Sequence, residues 1–234
     1  MITIYTHTYN SEIILPFFIK FYRERFPNCK IVIYDNESLD NTVAIAKSLN
    51  CDAHVYSTNG VIDFRKGHHI KNNSWKDATT EWVLMSDSDE MIDINEDKLQ
   101  KETELGSTLI SSEAYTMVNM EDNLDLDNIR HGFRDKIYDK ILIFNKQKIV
   151  DINYDFGSHR VRPRGHIQYS INKYRMYHYH FLNPELTMLS YKNATSRLTQ
   201  ESIRHGWGSH YLRNDEAKIK ELFIRIRNSS NKLF

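Results

Sequence analysis

Over roughly the first ninety residues, short β-branched and aromatic runs at 2–6, 30–34, 53–56 and 83–85 alternate with segments that read as helices. The first helix is predicted over about 13–25, where Ile14, Phe17, Phe18 and Phe21 recur at helical spacing as a core stripe and Ser11 is placed to cap. A second is predicted over 43–49, and the polar segment 64–78 reads as helical in its second half. Strands that alternate with helices need crossover connections. That pattern implies a parallel sheet with helices on both faces, in an α/β fold.

Composition narrows the class further. A chain of 234 residues with 40% hydrophobic and 12% aromatic residues buries one sizeable core. One domain spanning 1–234 is expected. The 31 basic residues balance the 31 acidic ones, so no overall field gathers nucleic acid or an anionic membrane, and any anion must be bound locally. No stretch approaches the roughly 20 apolar residues of a bilayer span, and Met1-Ile-Thr-Ile-Tyr-Thr-His7 has no signal-like pattern, so a cytoplasmic protein with no integral membrane segment is expected. Cys29 and Cys51 fit no metal or redox spacing and read as a reduced pair.

The fourth run ends abruptly in acids, Asp87-Ser88-Asp89-Glu90. If the segment stays extended, Asp87 and Asp89 point the same way and two hard oxygen donors converge on one divalent cation. The plainer alternative is a strand that runs into a solvated acidic turn. In parallel sheets, ligands collect beyond the carboxyl ends of the strands, and Tyr9, Asn10, Asp35, Asn36 and Asp87 all fall there.

Those residues also carry a resemblance. Tyr9-Asn10-Ser11-Glu12 after the first strand, Asp35-Asn-Glu-Ser-Leu-Asp-Asn-Thr42 after the second, and Lys71-Asn72 with Ala78 before Asp87-Ser-Asp89 are, in order, similar to the motifs of GT-A glycosyltransferases of family 2 and its relatives. Asn36 stands where that family often has a second Asp, Lys71 where it has Arg, and Glu37 where it has Gly, which suggests a somewhat different turn. The resemblance implies a GT-A, Rossmann-like single domain with a mostly parallel central sheet: a nucleotide-sugar half over 1–92 and a mixed acceptor-side half over 93–234, closed by a C-terminal helix. It places the nucleotide against Thr8, Tyr9, Asn10, Glu12, Asp35, Asn36, Lys71, Asn72, Asp87 and Ser88. Asp35 can accept from a pyrimidine N–H, and Lys71 can meet a phosphate as a point charge.

The second half is less regular. A helix is predicted over 93–105 and strands over 114–120 and 136–144, with an acidic loop, Glu121–Asn128, that is either solvated or turned toward an acceptor. His159 and Arg160, after Gly157, read either as part of a surface arginine run or as a clamp on diphosphate. In Tyr174-Arg-Met-Tyr-His-Tyr-His-Phe181, strand alternation puts His178 and His180 on one face. The resemblance makes them candidates for a late metal ligand, His178 before His180. Arg204-His-Gly-Trp-Gly-Ser-His-Tyr211 is a candidate lid in which Trp207 would stack on a sugar, and Ile219, Leu222, Phe223 and Ile226 form the stripe of a docked C-terminal helix.

The function implied is transfer of a sugar from a nucleoside diphosphate donor, UDP by resemblance, to a glycan or other hydroxyl acceptor. A cation would be held by Asp87, Asp89 and a histidine, Mn2+ in preference to Mg2+ because of the nitrogen donor. Inversion would need a carboxylate base, Asp155 first, then Glu121 and Asp122. A nucleotidyltransferase would call for a glycine-rich loop after the first strand, and Tyr5–Glu12 contains no glycine. A sugar-nucleotide-binding module without catalysis is the alternative outside enzymes.

Overall fold

The computed structural model describes residues 1–234. The strand–helix alternation folds as expected, β1 (Ile2–Thr8), α1 (Leu15–Arg25), β2 (Lys30–Asp35), α2 (Thr42–Ser48), β3 (Asp52–Val55), α3 (Phe64–Asn73) and β4 (Trp82–Asp87), but α3 fills the first part of 64–78 and not its second half, because Asp63 caps it by accepting from the Lys66 amide. These strands lie in the order β4-β1-β2-β3, and every pairing among them is parallel. Ile2, Ile4, Ile33, Leu84, Phe18 and Tyr22 are at most 1% exposed, so sheet and first helix share one dry layer. Ser11 does not cap α1. The turn before the helix runs on to Ile14, which makes no side-chain cap bond, and the Ser11 hydroxyl instead lies 3.3 Å from that of Ser88.

Glu37 takes the left-handed conformation that glycine would adopt more cheaply, with φ of 60°. The Glu37 carboxylate offsets the strain by accepting from the Thr58 and Gly60 amides at 2.8 and 3.3 Å and from the Ser57 hydroxyl.

The chain continues through β5 (Glu90–Ile92), α4 (Glu96–Glu104), β6 (Leu109–Val118), β7 (His131–Arg134), β8 (Ile141–Asn145), β9 (Ile149–Asp151), β10 (Arg164–Gly165), β11 (Tyr169–Phe181), α5 (Pro184–Arg197), α6 (Gln200–His205), α7 (Glu216–Ser229) and β12 (Asn231–Lys232). Here the sheet becomes mixed: β8 joins β4 antiparallel, β6 joins β8 antiparallel, and β11 runs parallel to β6. The predicted helix over 93–105 begins later because Asn95 caps it, accepting from the Lys98 amide. The predicted strand over 114–120 is longer on its N-terminal side and stops at Val118.

The 13-residue β11 ties the two halves together, since it pairs with β6 of the second half and with the short β5 at the end of the first. Helix α7 docks as expected, burying Ile219, Phe223 and Ile226 against Val118, Met188 and Tyr191. Cys29 and Cys51 are free thiols. No helix is long and apolar enough to cross a membrane.

Candidate active site at the strand ends

The acidic motif does not stay extended. β4 ends at Asp87, Ser88 and Asp89 form a tight turn, and β5 begins at Glu90, so the two aspartates leave the sheet in different environments. This corrects the expectation that alternation aims both at one point. Asp87 pairs with Lys71, Oδ1 to Nζ 2.7 Å. Burial acts to raise its pKa, but Lys71 and then Lys140 outweigh that and hold it down at about 2. Asp89 faces β11 instead: its Oδ2 lies 3.5 Å from His178 Nε2 and 3.9 Å from His180 Nδ1.

Strand alternation along β11 delivers both histidines. Asp89, His178 and His180 each offer one ligand atom, all within 4.8 Å of one another, and Asp87 is outside this group. Burial opposes ionisation of Asp89, yet the two imidazoles beside it, His178 first, keep its carboxyl well below the usual carboxylate range. His178 is 5% exposed, and its Nδ1 has no partner. His180 is oriented from behind, its Nε2 lying 3.3 Å from the Tyr191 hydroxyl. A nitrogen-nitrogen-oxygen set with one outer hydrogen bond of this kind suits a divalent transition ion.

A second layer supports the cluster. Glu90, opposite His178 in the β5–β11 register, forms a buried ion pair with Lys140, each side chain 3% exposed. Tyr138 packs on His178 with ring centroids 4.4 Å apart and on His159 at 5.4 Å, which brings the 155–160 loop to the site. Burial lowers the His159 pKa, and its Nδ1 is buried without a partner.

The other predicted residues divide between scaffold and surface. Asn10, at a positive φ of 49°, accepts from the Leu39 amide at 2.8 Å and donates its own amide to Ser38 Oγ. Glu12 accepts from the Asn41 amide and side chain at 3.0 and 2.9 Å, which ties the loop after β1 to the start of α2. Asp35, 1% exposed, accepts from the Thr8 hydroxyl at 3.2 Å and from the Ser38 amide at 2.9 Å. Asn72 holds Tyr154, accepting from its amide at 2.7 Å. Asp155 accepts from the His159 amide at 2.9 Å and so shapes its own loop, while Arg160 is exposed and forms no ion pair or side-chain hydrogen bond. Glu121 and Asp122 are exposed. The Glu121 carbonyl accepts from Arg227 and the Asp122 carboxylate sits 3.7 Å from it, so they meet α7 and not the Asp89 cluster.

Trp207 is not free to stack on a sugar. One face meets Phe156, 4.5 Å between centroids and 16° between planes, and it also stacks with His205 at 4.6 Å and 19°. His68 extends the stack beyond Phe156 at 4.5 Å. The segment bridges α6 and the 155–160 loop.

Arg197 was not visible as a site residue from sequence. It closes α5, is 7% exposed, and lays its guanidinium 3.4 Å from the ring centroid of Tyr9. No motif marks it, because it is one arginine on a mixed helix. Lys140 was equally silent, apart from being a charge at the threshold of an apolar strand.

Residues 3–102 match the family model for glycosyl transferase family 2. No curated protein matches the chain. Among solved structures, it is similar to TarS of S. aureus in complex with UDP, 17% identical with a TM-score of 0.48, covering 84% of this chain and 64% of that one. It is also similar to the mannosyltransferase PcManGT of Pyrobaculum calidifontis in complex with GDP-Man and Mn2+, 18% identical with a TM-score of 0.36, covering 47% of this chain and 34% of that one. A third is glucosyl-3-phosphoglycerate synthase of Mycobacterium tuberculosis in complex with Mn2+, UDP and glucosyl-3-phosphoglycerate, 16% identical with a TM-score of 0.33, covering 49% of this chain and 44% of that one. The chain thus spans less than two thirds of the TarS chain's length.

Proposed function

From a GT-A fold whose first part is similar to glycosyl transferase family 2, we propose that this chain is a divalent-metal-dependent glycosyltransferase that moves a sugar from a nucleoside diphosphate donor to a hydroxyl acceptor with inversion. The observation that carries the reading is the convergence of Asp89, His178 and His180 beside the Asp87–Lys71 pair, at the carboxyl ends of β1 and β4.

Asp89 Oδ2, His178 Nε2 and His180 Nδ1 would hold the ion, and the imidazole donors favour Mn2+ over Mg2+. A bound cation supplies electrostatic stabilisation of the charge that develops on the departing diphosphate. Lys71, tied to Asp87, stands ready to exchange that carboxylate for a phosphate oxygen. Glu90 and Lys140 neutralise each other beneath His178 and keep the floor of the site rigid.

Inversion requires a carboxylate to take the acceptor proton on the side opposite the leaving group. Of the candidates, Asp155 is favoured over Glu121 and Asp122 because its loop packs toward the cluster through His159 and Tyr138. The donor base is assigned as uracil on family likeness.

The test reads metal binding and turnover separately. Wild-type protein is expected to show a Mn2+-dependent rise in melting temperature, and to release UDP from a UDP-sugar in a panel that includes other nucleotide sugars and candidate acceptors. In Asp89→Ala both responses should vanish, with turnover down by at least about a thousandfold. An Asp89→Ala protein with an unchanged Mn2+ shift would remove the metal assignment. Donor binding in the wild type, with no hydrolysis or transfer to any acceptor tried, would favour a binding module.

A further inference from the structure

Arg197 reaches from the end of α5 into the loops that follow β1 and β2. Its Nε donates to the Gly60 carbonyl at 3.1 Å, and one terminal nitrogen, Nη2, donates to Asn36 Oδ1 at 2.5 Å and to the Asn36 and Val61 carbonyls at 3.3 and 3.4 Å. The other terminal nitrogen, Nη1, makes no hydrogen bond within the chain. It is also absent from the buried unpaired atoms, so it remains reachable.

The neighbouring polar groups are already engaged. Asn36 uses its oxygen on Arg197 and its nitrogen on Thr58 Oγ1 at 2.8 Å, and Asp35 holds Thr8 and Ser38. Tyr9 has the guanidinium laid over its ring. At the ends of β1 and β2, the unused hydrogen-bonding capacity therefore includes a pure donor on a planar, stacked cation.

We propose that Arg197 positions the donor's base by donating from Nη1 to a ring carbonyl, and that it selects uracil, whose C4 bears an oxygen, over cytosine, whose C4 bears an amino group. This rests on the nucleotide-sugar reading above. A donor that meets a carbonyl gains a charge-assisted bond, whereas a donor that meets an amino group leaves two N–H groups opposed. Lysine cannot replace it, since an ammonium does not lie flat on Tyr9 while also serving three carbonyl oxygens and the Asn36 side chain.

The experiment measures dissociation constants of UDP, CDP and 4-thio-UDP with Mn2+ for wild-type protein and Arg197→Lys, alongside the melting temperature of each. In the wild type, UDP should bind at least about tenfold more tightly than CDP, and 4-thio-UDP, with a poor acceptor at C4, should fall between them. In Arg197→Lys the UDP-to-CDP ratio should collapse toward one. A purely structural role would weaken both nucleotides with the ratio intact, and that result overturns the proposal. So does equal wild-type affinity for UDP and CDP, or for UDP and 4-thio-UDP, a comparison that needs no folded variant. Wild-type protein that binds no nucleoside diphosphate would overturn the glycosyltransferase reading along with it.

Discussion

His7 lies at the end of β1, between Tyr34 and Tyr56, with centroid distances of 6.0 Å to each, and its Nε2 is buried without a partner. Burial lowers its pKa from 6.5 to about 3, with Lys71 acting in the same direction and Asp87 against it. Because the folded value is the lower one, the unfolded chain takes up a proton below pH 6.5 that the folded chain refuses. Stability contributed by the neutral ring is complete above that value and is lost as pH falls toward 3. The slope attributable to this one residue is on the order of 1.4 kcal/mol per pH unit at most. His7→Gln should flatten the fall in unfolding free energy between pH 6.5 and 5 by about 1–2 kcal/mol, measured by urea titration at each pH. Parallel curves for the two proteins would show that His7 titrates normally.

At the scale of elements, the stack His68, Phe156, Trp207 and His205 joins α3, the 155–160 loop and the segment after α6. Gly206 and Gly208, at φ of 71° and 68°, let the chain turn tightly on both sides of Trp207. In this segment, expected from sequence to be a lid, the glycines serve to seat the indole against its neighbours. Each aromatic pair adds about 0.5–1.5 kcal/mol beyond area burial, so local opening is held off mainly by this ring. Trp207→Ala should raise the rate of tryptic cleavage at Arg204 or Arg213 about fivefold to tenfold under native conditions, with far-UV circular dichroism unchanged. Cleavage at the wild-type rate would mean that the stack is not what holds the segment.

Across the whole molecule, the two halves expected from sequence are joined by strand pairing of β8 on β4 and β11 on β5, by Arg197 on Asn36, and by the buried Glu90–Lys140 pair. We propose that they unfold as one unit. Lys140→Met leaves Glu90 uncompensated, a loss of about 3–5 kcal/mol, and calorimetry should show one peak displaced downward with its cooperativity kept. A split into two transitions would instead separate 1–92 from 93–234.

Local patterning was enough for the parallel half, because period-two and period-3.6 hydrophobicity and loop motifs act over a few residues. It also placed His178 and His180 on one face, since alternation along an uninterrupted strand is a local property. The same rule failed for Asp87 and Asp89, where the strand stops at the first acid and a turn intervenes. Which carboxylate meets the histidines, and which is claimed by Lys71, is set by β11 arriving beside β5 and by Lys71 of α3 reaching the end of β4. Sequence by itself determined the sheet's first half, the place of the acidic motif at the end of its fourth strand, and the histidine strand. Only the tertiary structure decided that Asp89 is the shared partner, that Trp207 is already covered, and that Arg197 reaches Tyr9. These contacts join residues as far as 188 positions apart, and no local periodicity encodes such a distance.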